Sequence, residues 1–286
     1  MNEVAQTLLS LIIVLTFATI AFKFNLLTET GTLAAILVGL CLFVLPVKPV
    51  PGWAWFGLLA VFFVSSNAVT QFKKTQKEEV SQEFAKGGTR DLAQVIANGA
   101  VAVFLAAVYR FYAEPIVFTA FVAVVAVANA DTFATELGVL SKAKPFLITT
   151  FKKVENGASG AVSLLGTLAA LAGAAVIAAA AVAAESLSSL ATGGFTLAAP
   201  GGIPLFVAIT VFAGVVGSLA DSFFGATIQA MYWCKKCQKE TERQTHKCGE
   251  KTLLLRGIKW VDNDVVNLFS TIVGGALAAA LFYFLA

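Results

Sequence analysis

Charge is what this chain has least of. Only 13% of its 286 residues are Asp, Glu, Lys or Arg, against 58% hydrophobic, and the mean hydropathy is +0.83. A soluble protein of this size needs far more charge to cover its surface, so the soluble classes are excluded. No long polar segment is present that would supply a second, soluble domain. There is one histidine, and no H-E-x-x-H occurs, which excludes a zinc membrane protease of that type. The N-terminal apolar run has neither a basic leader nor a small-residue cleavage site, and we read it as a retained first span with no transit segment before it. The formal net charge of +3 is small, and nothing in it calls for nucleic acid.

What remains is a set of apolar runs long enough to cross a bilayer. We read eight spans, over about 4–22, 30–46, 52–71, 91–109, 115–138, 159–184, 203–231 and 263–286. The expected fold is an all-α polytopic membrane protein, 1–286 as one membrane domain. Residues 1–71 would be peripheral lipid-facing spans, 85–286 a motif-bearing core, and 232–259 an inserted loop. Trp53 and Trp55 are placed at the outer interface, and Cys41 reads as a small buried hydrophobe. With eight spans, 18 of the 20 lysines and arginines fall on one side, leaving Lys48 and Arg110 opposite. By the positive-inside rule both termini face out and three long loops face the cytoplasm, the expectation for a multi-pass protein of the cell membrane.

The informative residues are polar ones inside apolar runs. In GSLADSFFGATIQ, Ser218, Asp221, Ser222, Gly225 and Gln229 share one helix face. The tetrapeptide ADSF there has an earlier twin, ADTF, at Ala130 to Phe133, with Asn129, Asp131 and Glu136 near the end of the fifth span. A carboxylate at such depth is expensive unless paired or metal-bound, and the plain alternative is an ion pair with Lys142 or Lys153. After the first loop, whose charges read as a solvated continuation of the third helix, Gly87, Gly88, Thr89 and Arg90 precede a face of Asp91, Gln94 and Asn98. Glycines and an arginine at a helix start suit an anion. The second loop brings Lys152 and Lys153 before a stripe of Asn156, Ser159, Gly160, Ser163 and Thr167, read as the start of the sixth helix. The last span opens WVDNDVVNLFST, with Asp262 and Asp264 at the surface and Asn263, Asn267 and Ser270 on one face. The fifth and sixth spans thus parallel the seventh and eighth, which we read as a parallel two-helix repeat.

Cys234, Cys237, His246 and Cys248 form a C-x2-C pair followed by H-x-C. Four such ligands saturate a tetrahedral zinc and leave no open position, so the metal is expected to be structural. The polar stripes all lie toward the charged loops, which places one site at the inner surface, acidic in its walls and basic at its rim. Oxygen ligands suit Mg²⁺ and the basic residues suit phosphates.

The segments GGTRDLAQVIANG, ADTFATELG, TTFKKVENGASGAVSLLGT, GSLADSFFGA and WVDNDVVNLFST resemble the motif set of the membrane family that includes phytyl-phosphate kinase and many transmembrane relatives. The resemblance covers about residues 85 to 286. It implies transfer of phosphate from a nucleotide, CTP by similarity, to an isoprenyl monophosphate such as phytyl or geranylgeranyl phosphate. In that reading Asp131, Glu136, Asp221 and Asp264 are catalytic and, with Asp262, hold Mg²⁺. Gly88, Thr89, Arg90, Asp91, Asn98, Lys152, Lys153, Asn156, Ser159, Asn263 and Asn267 hold the nucleotide and its phosphates. The alternative is an ion-coupled transporter, since repeats and intramembrane acids occur there too. Against it stand the parallel sense of the repeat and the clustering of polar residues at one surface.

Overall fold

The computed structural model describes residues 3–47, 49–81, 88–192 and 201–285. Lys48, Lys86, Gly87 and most of the loop before the seventh span lie outside them. Nine helices and five short strands are present among the described residues: α1 (Glu3–Lys23), α2 (Glu29–Val44), α3 (Gly52–Gln71), α4 (Lys74–Ser81), α5 (Leu92–Phe111), α6 (Pro115–Gly138), β1 (Phe146–Leu147), β2 (Ala161–Val162), α7 (Leu164–Thr192), α8 (Gly202–Thr227), β3 (Met231–Cys234), β4 (Lys239–Thr241), β5 (Leu253–Arg256) and α9 (Asn263–Leu285). Six helices, α3 and α5 to α9, are long and apolar enough to cross a bilayer. Apolar α1 and α2 offer only the shorter stretches Thr7–Lys23 and Glu29–Val44.

α6 is the axis of the bundle. It packs against α3, α5, α7, α8 and α9, and every residue from Phe118 to Ala130 is buried. Close approach needs small partners: a Cβ on Gly217 of α8 or on Gly274 of α9 would run into Val127. Steric fit of this kind stands in for the hydrophobic effect, which a lipid environment does not supply between helices.

Local chemistry explains where the helices start. Asp91 accepts the Gln94 backbone N–H at 2.9 Å while Gln94 reaches back to Asp91, a capping box for α5. Thr28 caps α2 through the Gly31 N–H, and Pro115 opens α6, where its missing N–H is no loss.

Four expectations need correction. The third helix does not run on through the first loop: Lys73 adopts φ +49, which ends α3 and starts α4 in a new direction. The sixth span does not start at residue 159. Gly160 has φ +83 and Ala161–Val162 pairs antiparallel with Leu147–Phe146, so Asn156 to Ser163 is a loop and hairpin, and α7 begins at Leu164. The seventh span ends at Thr227, because the chain peels off into the sheet of β3. Trp55 is no interface residue. Fully buried, it stacks among Tyr109, Phe118 and Phe121 with ring centroids 4.3–5.1 Å apart, so α3 belongs to the core and not to a peripheral group.

Candidate active site

A cavity of about 590 Å³ opens where the C-terminal ends of α6 and α8 meet the N-terminal ends of α5 and α9. Its acidic wall carries Asp131, Glu136, Asp221, Asp262 and Asp264, all of them residues singled out above, together with Glu242. Asp131 and Asp221 come from the ADTF and ADSF tetrapeptides at matching depths in α6 and α8, close enough to feel each other's charge. Ser218 donates to Asp131 Oδ1 at 3.4 Å. Asp221 Oδ2 and Asn156 Oδ1 are buried against the cavity and accept no hydrogen bond among the described residues. A buried carboxylate with an unsatisfied oxygen beside a second carboxylate calls for a cation or a proton, and a donor set made of oxygen fits Mg²⁺. Asp262 is partly committed elsewhere, since its Oδ1 takes the N–H groups of Asp264 and Val265 at the start of α9.

Glu136 is an ion pair, though not with the partners expected. Lys77 of α4 donates to Glu136 and also to the carbonyls of Val69 at 3.0 Å and Thr70 at 2.8 Å, the free end of α3. A charge run that looked solvated thus contributes a lysine only 5% exposed. Arg90 is a half-buried cation. Its Nη2 donates to Ser66 at 2.6 Å, and its guanidinium lies 5.0 and 5.2 Å from the ring centres of Phe62 and Phe63. Burial lowers its pKa to about 10, with Glu136 opposing the shift, so it stays a cation at neutral pH.

Lys152 and Lys153 do not line the cavity. They sit exposed in the connection between β1 and β2, just after Phe151 at φ +55. The lining cations are Lys74, Lys77, Arg90, Arg243 and Lys247. Of the other residues read from sequence, Gly88, Asn98, Asn156, Ser159, Asn263 and Asn267 line the cavity, whereas Thr89 and Asp91 do not. Thr89 donates to the Asn25 carbonyl and Asp91 caps α5. Asn129 is spent on packing, accepting from Ser65 and donating to the Gly173 carbonyl.

The long connection after α8 folds into an antiparallel sheet of order β4-β3-β5. Cys234, Cys237, His246 and Cys248 converge there, with all four ligand atoms within 4.8 Å of one another, so they are spaced to hold one metal ion. The Cys237 N–H donates to Cys234 Sγ at 3.4 Å and His246 Nδ1 lies 3.2 Å from Cys248 Sγ, a set that takes a metal as thiolates. The same sheet delivers Glu242, Arg243 and Lys247 to the cavity wall. Arg256 of β5 donates to the carbonyls of Gly225 at 2.7 Å and Ser159 at 3.2 Å. Gln229 accepts from Ser159 at 3.0 Å and donates to Glu242 at 2.9 Å. These four hydrogen bonds lock the clasped loop, the end of α8 and the loop before α7 together. No spacing pattern announced Lys77, Arg243 or Arg256; only C-x2-C and H-x-C pointed to that loop.

An apolar bundle with six helices long enough to cross a bilayer is an integral membrane protein, and its charged cavity lies at one end of those helices. The chain belongs to the integral membrane protein family DUF92, whose model matches residues 12–275, a stretch that contains all five motifs. It is similar to Protein PGR of Arabidopsis thaliana, 31% identical over 246 residues, 80% of this chain and 81% of that one. Uncharacterized membrane protein MJ0933 of Methanocaldococcus jannaschii is 27% identical over 282 residues, 99% and 97% of the two chains. Protein VTE6, chloroplastic, of Arabidopsis thaliana is 28% identical over 239 residues, 82% of this chain and 60% of that one. No solved structure matches the chain.

Proposed function

We propose that this protein is an integral membrane kinase that transfers a phosphoryl group from a nucleoside triphosphate, CTP by preference, to an isoprenyl monophosphate, giving the diphosphate. The observation that carries this reading is the proximity of Asp131 to Asp221 in a cavity that Arg90, Lys77, Arg243 and Lys247 also line. Acids and cations around one cavity suit a polyphosphate with its divalent ion. Asp131, Asp221 and Asp264 would hold Mg²⁺, with Asp262 and Glu136 beside them, and the ion would supply neutralisation of charge on the transferred group. Gly88, Asn98, Asn156, Ser159, Asn263 and Asn267 would contact the nucleotide.

The acceptor explains why no general base is needed. A phosphate monoester has a second pKa of about 6, so its oxygen is already anionic at neutral pH. That oxygen attacks the γ-phosphorus, the bond to the β–γ bridging oxygen breaks, and the nucleoside diphosphate leaves with the electron pair. The side chains then have only to position the reactants and offset charge. The basic loops beside the cavity support a cytoplasmic position for it, by the positive-inside rule. The test is to incubate purified protein with Mg²⁺, radiolabelled nucleotides and phytyl or geranylgeranyl phosphate. Labelled prenyl diphosphate is the expected product; its absence with every nucleotide would end the proposal.

A further inference from the structure

A second cavity, of about 60 Å³, lies among α1, α2, α3 and α5. Its walls are aliphatic and aromatic, with Phe17, Val38, Phe56 and Leu59 among them, except at one end. That end is Arg90, Gln94 and Asn98, and the same three side chains line the large polar cavity. Both spaces are thus bordered by one half-buried arginine. Arg90 is firmly set there: its N–H donates to the Leu26 carbonyl and its carbonyl accepts from Thr28, both at 3.0 Å, which ties it to the turn before α2. Its guanidinium lies over Phe62 and Phe63, which are groove residues themselves.

A cation with a polar chamber on one side and an apolar groove on the other matches the junction of an anionic amphiphile, headgroup one way and chain the other. We propose that this groove is the tail subsite for the isoprenoid chain of the acceptor, with the acceptor's phosphate on Arg90 in the polar cavity. This rests on the kinase reading for the identity of the amphiphile. It also gives the N-terminal helices a task, as walls of a binding groove. At roughly 10–15 Å³ per water-sized group, the enclosed space takes about four to six such groups, which is one isoprene unit. The rest of the chain leaves the groove into the bilayer, so the site selects for the proximal unit and its charge more than for total length.

The experiment uses the full chain in lipid nanodiscs and measures binding of tritiated geranylgeranyl phosphate without nucleotide. Inorganic phosphate, geranylgeraniol and dioleoyl phosphatidic acid serve as competitors, each expected to be at least tenfold weaker than unlabelled geranylgeranyl phosphate. Ala35→Leu on α2 and Ala60→Leu on α3 place bulk in the groove at residues that do not line the polar cavity. Each should weaken prenyl-phosphate binding about tenfold or more and leave nucleotide binding unchanged. Normal prenyl-phosphate binding in both variants overturns the groove and leaves the kinase reading standing. Equal competition by phosphatidic acid overturns the isoprenoid assignment. If wild type binds prenyl phosphate, both leucine variants lose it and no nucleotide is used, the groove stands and the kinase reading falls. Independently of any variant, a geranylgeranyl phosphate with a diazirine on its first isoprene unit should label α3 or α5, and labelling confined to α7–α9 overturns the proposal.

Discussion

The two connections that close the cavity solve one problem differently. The loop from α6 to α7 is the shorter of the two and holds itself with a hairpin of two-residue strands and hydrogen bonds such as Asn156 to the Ser141 carbonyl at 3.1 Å. The loop from α8 to α9 is longer, builds a three-stranded sheet and adds a Cys3His cluster. The difference follows from burial. A small sheet outside the bilayer cannot bury enough apolar surface to stand alone, and a metal held by this cluster would supply the missing folding energy. The short loop needs none, because it is pinned to the longer one through Arg256 and Gln229.

The acids on either side offer the sharpest way to break the comparison. If the two halves contribute equally, Asp131→Asn and Asp221→Asn should each lower phosphoryl transfer on the order of a hundredfold or more, with protein amount unchanged. Wild-type turnover by both variants would remove the site, and loss in only one would show that the halves are not equivalent. Next in size is the metal. The purified, reduced protein should carry one zinc per chain, and Cys237→Ser should lose it, lower thermal stability and reduce nucleotide affinity several-fold as Glu242, Arg243 and Lys247 shift. Full stability without metal would refute the clasp. A smaller effect is expected at the tie between the loops. Arg256→Gln removes two charge-assisted bonds to carbonyls and should destabilise by about 2–3 kcal/mol in denaturant titration, while zinc stays bound. Smallest of all is Lys144→Gln. Its pair with Glu155 sits on the exposed face of the short loop, so stability should change by no more than about 0.5 kcal/mol.

Legibility from sequence followed the same divide between periodic and non-local features. Apolar runs marked α3, α5, α6, α8 and α9 because length and hydropathy are local properties. Asp131 and Asp221 stood out as acids in an apolar context, and the cysteines as a spaced set. Asn156 to Ser163 misled because small polar residues at helical spacing also fit a loop, and Gly160 was the signal that it was one. Lys77 was hidden in a run of charge: its burial depends on Glu136, 59 residues away, and on the end of α3. Trp55 was misplaced for a related reason, since an interfacial and a core tryptophan look alike until Tyr109 and Phe121 are known to surround it. Lys152 and Lys153 sit exposed just after the left-handed residue Phe151, a conformation that no neighbouring glycine or asparagine advertised.

The grip of Arg256 on two carbonyls from different parts of the chain has a mechanical consequence. Gly225 closes the helix that carries Asp221, and Ser159 lies in the loop that carries Asn156, so one guanidinium fastens both across the base of the cavity like a rivet through two plates. Spreading the plates would strip both bonds from a partly buried cation at once, which makes that seam stiff. Breathing of the chamber is thereby directed to the opposite rim, where α4 rests on the end of α3 and a single lysine side chain spans the gap.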